Sequence, residues 1–220
     1  MLIAKLRRDQ QVTLSRHLNK LIGTHLTRFE DDPAVVRREF VEGVISLLQS
    51  HLGLKAISLF WRVPFSESIS CIGTTGLVRL ADNKQLATKQ EQASASYDLN
   101  AADPIPWTVQ VCRTGRHMVR RAEQVCQHAA DARFTEVIDS APMHGDGPPD
   151  CRGASPVLLA PIPWRTRAEQ SELDDEIATL GVLRCGHRGM QGLEHRLKSF
   201  DLVEVQVIRF VVDQITPVLR

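Results

Sequence analysis

Aromatic residues make up only 5% of this 220-residue chain, with a single tyrosine and three tryptophans. Any core must therefore be largely aliphatic, and any ring-lined cleft must draw on very few positions. An excess of either charge is also missing: 27 Lys plus Arg face 26 Asp plus Glu, a net charge of +1. That balance gives no basic field for nucleic acid and no acidic one for solvating disorder. Apolar runs stop after a handful of residues, far short of the ~20 that span a bilayer. There is no Gly-rich phosphate loop, no Gly-x-Ser-x-Gly elbow and no His-Glu-x-x-His pair, so the common hydrolase and nucleoside-triphosphate chemistries lack support. The five cysteines are odd in number and show no repeated spacing between Cys71 and Cys185, as expected of free thiols in a reducing compartment. At the N-terminus the charges of Lys5, Arg7 and Arg8 follow the apolar residues, the wrong order for a secretory leader. A cytoplasmic protein is expected.

What the chain does have is 43% hydrophobic residues, enough for a substantial core in one large or two small domains. Residues 2 to 29 read as an amphipathic helix, with Leu14, Leu18, Leu21, His25 and Phe29 on one stripe. A second helix is punctuated by Asp32 as cap, Pro33 in the first turn and Gly53 as terminator, and buries Val36, Phe40, Val44, Leu47 and Leu48. Next, Ile57, Leu59, Trp61 and Val63 alternate along a strand, and residues 68 to 73 form its partner. Residues 83 to 103 are polar and weakly periodic, a connection with at most one helical turn. Pro104 and Gly115 bracket a short helix, and a strand follows over residues 116 to 121. Residues 139 to 153 are rich in turn formers and read as a surface loop or lid.

The stretch from Gly153 to Gly186 holds two apolar strands, residues 155 to 164 and 177 to 185, around a charged loop. Pro156 and Pro161 belong at the start of the first strand and at a bulge or unpaired position. A final helix runs from about Phe200 to Thr216, capped by Ser199 and stopped near Pro217. It carries two apolar stripes, Val205, Ile208, Val212 and Ile215 on one side and Val203, Val207 and Phe210 on another. One stripe suits the domain's own sheet and the other a partner helix.

The Thr-Gly pair closing the helix before residue 116, the Asp131-Ala132-Arg133-Phe134 segment and the Leu-Gly-Val-Leu run at residues 180 to 183 resemble a GAF domain, a small-molecule sensor fold. The resemblance covers roughly residues 33 to 219. It implies an α+β fold, with a six-stranded antiparallel sheet, helices packed on one face and a ligand pocket on the other. The N-terminal amphipathic helix, residues 1 to 30, would be a dimerisation or signalling element or a helix folded back on its own domain, and residues 31 to 220 would form the sensor domain. The implied pocket draws apolar walls from Trp61, Trp107, Val111, Phe134 and Leu158, and polar anchors from Arg113, His117 and Arg133. Partners would be a small-molecule ligand, a second copy held through the terminal helices, and a separate output protein. Neither nucleic acid nor a membrane is expected.

Cys185-Gly186-His187 replaces the Asn-Lys pair of cyclic-nucleotide-binding members, and no Cys-His dipeptide is present for a covalent bilin, so no cofactor is expected. Cys126, His128, His144 and Cys151 have no spacing suited to a closed zinc site, and no metal is expected. One enzymatic branch of the fold reduces free methionine sulfoxide. Cys151 is the redox candidate on that reading, with Cys112 or Cys126 as its partner only if their α-carbons lie within ~7 Å. The balance is against an enzyme. A ligand-free dimerisation module is the third reading.

Overall fold

The computed structural model describes residues 2–28, 32–54, 56–62, 66–75, 78–79, 86–87, 96–100, 105–120, 156–164, 179–186 and 200–220. Helix α1 (Leu2–Leu26) leads into α2 (Pro33–Leu52). The Asp32 carboxylate accepts the Ala34 N–H at 2.9 Å, satisfying a donor that the helix itself cannot. Gly53 closes α2 at φ 64, a left-handed conformation that favours glycine, and its N–H bonds the Gln49 carbonyl. Helix α1 folds back on α2, and its Leu14 and Leu18 are buried in the same core as Phe40, Val44 and Leu48. Around that seam His17 Nδ1 lies 3.1 Å from His51 Nε2, the His25 ring packs 4.7 Å from that of Phe40, and Arg28 pairs with Glu39.

Strands β1 (Ala56–Arg62) and β2 (Ser68–Thr75) pair antiparallel, as their alternation predicts. Leu59 faces Gly73 and Phe60 faces Cys71, which leaves Ile72 as the extra residue of a bulge. Gly73 is required there, because a Cβ would collide with Val41 of α2. β3 (Val78–Arg79) and β4 (Leu86–Ala87) form a separate two-stranded ribbon. β5 (Ser96–Asp98) then joins the outer edge of β2. This corrects the expectation of an unstructured connection over residues 83 to 103. A three-residue strand is too short to show a period of its own, and pairing with β2 plus burial of Tyr97 creates it.

Helix α3 (Trp107–Thr114) ends at Gly115, φ 60, and is followed by β6 (Met118–Arg120), β7 (Val157–Pro163) and β8 (Thr179–Gly186). The main sheet is six-stranded in the order β5-β2-β1-β8-β7-β6, with every neighbouring pair antiparallel. Pro161 lies beyond Leu159, the last residue of β7 that pairs with β6, so its missing N–H is needed by no strand on that side among the described residues. The register slips between Ile162 and Pro163.

Helix α4 (Leu202–Leu219) closes the chain, with two departures from expectation. Its cap is Asp201, not Ser199, which lies outside the described residues. The Asp201 carboxylate accepts the Glu204 N–H at 2.8 Å while Glu204 accepts the Asp201 N–H at 2.9 Å, a reciprocal box. The helix also runs through Pro217 to Leu219 instead of stopping there. A proline in the last turn removes one N–H near the end, and burial of Ile215, Thr216 and Leu219 holds that turn in place.

Three helices, α1, α2 and α4, cover one face of the sheet over Ile57, Leu59 and Trp61 of β1, Leu158, Ala160 and Ile162 of β7, and Leu183 and Cys185 of β8. Helix α3 covers the other face, over Phe60, Ile69, Cys71, Val157, Leu159 and Val182. Among the described residues no helix is long and apolar enough to cross a membrane.

Candidate functional site

The face beneath α3 is where chemistry gathers, and strand periodicity decides what it contains. On β8, Leu183 and Cys185 point to the three-helix side, so Arg184 between them shares the α3 side with Val182. Arg184 is 6% exposed, and it is the one buried charged residue among those described. Beside it in register on β1 is Ser58, also buried, whose hydroxyl is 2.9 Å from that of Thr74 on β2. Thr74, Ser58 and Arg184 thus make a polar row across three adjacent strands. The next row, Cys71, Phe60 and Val182, is apolar.

On the other side of β7, Arg120 shares the face of Met118, because β6 alternates as well. Its guanidinium carbon lies 5.5 Å from the Trp107 ring centroid, a cation–π contact that ties β6 to α3. Trp107 is half-buried against the α3-side core. The result is a sheet face with an apolar centre under α3, a hydroxyl-and-guanidinium row, and a second guanidinium held by a tryptophan.

The structure divides the residues picked from the sequence. Trp107 and Val111 sit together on the α3 side. Trp61 and Leu158 are corrections: both belong to the three-helix core, and Trp61 is overlain by Arg37 of α2 at 5.9 Å, so neither shares a cavity with Trp107. The reason is parity, since each is one residue removed from the strand positions that face α3. Arg113 donates from Nε to the Leu99 carbonyl at 2.5 Å and so braces α3 against the end of β5. His117 accepts from Arg209 Nε at 3.1 Å, a bond to α4. Arg133, Phe134 and Cys151 lie outside the described residues, as do Cys126, His128, His144 and the lid over residues 139 to 153.

Arg184, Arg120, Ser58 and Thr74, also on the α3 side, are not among the residues picked from the sequence. A signal for Arg184 was present, as the lone charge inside the apolar run from Leu180 to Cys185. Such a charge is buried only where a partner or a ligand meets it.

Thiol chemistry gains nothing from the described cysteines. Burial pushes Cys71 and Cys112 up to about 11, and Cys185 higher still, so all three are protonated, weakly nucleophilic core thiols at neutral pH. No group of three or more His, Cys, Asp or Glu side chains among the described residues could hold a metal ion.

A six-stranded antiparallel sheet with three helices on one face and, among the described residues, a short helix over a partly polar second face defines an α+β domain. The fold is GAF-like. The GAF domain of an Acinetobacter phosphoenolpyruvate-protein phosphotransferase superposes with a TM-score of 0.56 at 8% identity, covering 97% of this chain and 92% of that one. Also similar are the A. Aeolicus nlh2 GAF domain in an inactive state (TM-score 0.48, 12% identity, 97% and 93% covered) and the GAF domain of a Coxiella burnetii phosphoenolpyruvate-protein phosphotransferase (0.47, 12%, 92% and 92%). No family model and no curated protein matches the sequence.

Proposed function

We propose that this chain is a cytoplasmic sensor domain that binds a small molecule on the α3 face and passes occupancy through α1 and α4 to a second copy and a separate output protein. The polar row of buried Ser58 and Arg184 with half-buried Thr74 carries the reading, since a few polar groups set into an apolar surface are what orients a small molecule in its site. The GAF-like fold supports it by likeness alone.

Transmission has a physical route in this reading. His117 is two residues past the Gly115 cap of α3 and bonds Arg209 of α4, so a shift of α3 on binding pulls directly on the last helix. Ligand then selects one packing of that helix over another. Pairing of two copies fits the outer seam between α1 and α4, where Val12, Gln206 and Phe210 line a groove of about 400 Å³, with Val12 52% and Phe210 38% exposed. Free thiols at Cys71, Cys112 and Cys185 suit a reducing compartment.

Native mass spectrometry of the purified protein, repeated after incubation with a small-molecule extract of cells, tests the proposal. A non-covalent adduct on a dimer, lost on denaturation, is the expected result, with Phe210→Glu giving monomers. Bare polypeptide mass under both conditions would remove the sensor reading.

A further inference from the structure

Resting on that sensor reading, we infer that the α3 face selects an anion, a small molecule bearing a carboxylate or phosphate group, and that Arg184 and Arg120 are its anchors. The geometry carries this in three steps.

The first is where the charge sits. Arg184 occupies β8, hydrogen-bonded between β1 and β7, with Ser58 on one side and Leu159 on the other. An aliphatic residue at this place would bury at lower cost, because a desolvated cation must recover its hydration from partners. Arg184 already engages other groups of the protein. A guanidinium has five N–H donors in a planar fork, so an arriving carboxylate or phosphate adds to those contacts and need not replace them.

The second step is the second cation. Arg120 pairs with Val157 on β7, and Val157 pairs with Gly186 on β8, two residues beyond Arg184. The two arginines therefore stand on one face with a single strand between them, their backbones roughly 12 Å apart across two interstrand spacings and two residues of strand rise. Between them β7 presents Val157 and Leu159, both buried and apolar. A ligand with an anionic group at each end of a short hydrocarbon body, or one anion reached from both sides, matches this alternation of charge and grease. The contact with Trp107 fixes the Arg120 guanidinium in direction.

The third step is what the surrounding elements do not supply. β1, β2, β6, β7, β8 and α3 contain no Asp or Glu at any position, while the α3 side of β6 and β8 carries Arg120 and Arg184. The charges on these elements are all positive, and of the two hydroxyls of Ser58 and Thr74, which bond each other, one keeps its O–H for an arriving anion.

The test is to label arginine side chains with nitrogen-15 and follow the Nε–H signals of Arg184 and Arg120 in the full chain. Succinate and inorganic phosphate serve as anionic probes and succinamide as the uncharged control. Succinate or phosphate at millimolar concentration should shift both signals, and succinamide should not. Arg184→Gln should weaken the anion response of Arg120 by roughly ten- to hundredfold, the loss of one charge-assisted contact, with Arg184→Lys retaining part of it. Arg120→Gln, half-buried on an edge strand, gives the reciprocal readout if the buried substitution fails to fold.

An equal response to succinamide, no response to either anion, or an Arg184→Gln variant that binds unchanged would overturn the inference. The sensor reading fails separately. A neutral adduct in native mass spectrometry, indifferent to Arg184→Gln, sinks anion selection and leaves the sensor standing, while the absence of any adduct sinks both.

Discussion

On one face of the sheet α1, α2 and α4 close over Ile57, Leu59, Trp61, Leu158, Ile162 and Leu183, and nearly every strand position that points there is aliphatic. On the other face, among the described residues, one eight-residue helix, α3, covers part of the same strands, and the residues beyond the apolar centre are Thr74, Ser58, Arg184 and Arg120. The two faces are built from alternate residues of the same strands, so composition cannot explain the difference. The closed face holds the fold together. The other carries hydroxyls and a buried guanidinium, and Arg184 there already engages other groups of the protein.

Neighbouring residues of β1 give the sharpest test of that contrast. Leu59, fully buried toward the helices, should cost about 2–5 kcal/mol when replaced by alanine, read as a fall in the urea midpoint at unchanged slope. Ser58 points the other way, and Ser58→Ala should cost only about 1 kcal/mol, since it removes one hydroxyl pair with a half-buried Thr74. Equal losses at the two positions would mean that the α3 face is as structural as the helical one.

The smallest effect is a pH dependence confined to the α1–α2 seam of the helical face. His25 is held below its ordinary value of 6.5, chiefly by burial, with Arg28 and Arg37 adding repulsion and a backbone bond to Val36 opposing them. His51 is also held below 6.5, by burial first and by His17 second. Arg28 in turn faces Glu39. The folded chain therefore takes up protons less readily than the unfolded one. This stability is complete above pH 6.5 and is lost as pH falls from there toward the depressed folded values. Urea titrations above and below that point should show it, and His25→Gln should flatten the slope. A stability that rises on acidification would contradict the buried neutral seam.

How much was legible follows from how local each signal is. The ends of α2 could be read because Asp32, Pro33 and Gly53 act within a few residues of the groups they satisfy. The same holds for α3 and Gly115. For α4 the expected cap, Ser199, stands two residues before the actual one, Asp201, which the reciprocal bonds with Glu204 identify. β5 was invisible because three residues gain strand character only from β2 beside them. Among the residues picked from the sequence, Trp107 and Val111 lie together on the α3 side because one helix holds both. Arg113 and His117 were picked as polar anchors, and they bond Leu99 and Arg209.

The sequence by itself determined the longer helices and strands, both ends of α2, the glycine that closes α3, and that Ile57, Leu59 and Trp61 share one side of a strand. Only the tertiary structure decided which side that is. The order β5-β2-β1-β8-β7-β6 brings together strands as far apart in the chain as β1 and β8, and no local pattern encodes such a pairing. Because side chains alternate with a period of two, placing α3 on one face and three helices on the other assigns every strand residue at once. That assignment sends Trp61 and Leu158 into the three-helix core and turns Arg184 toward the α3 face.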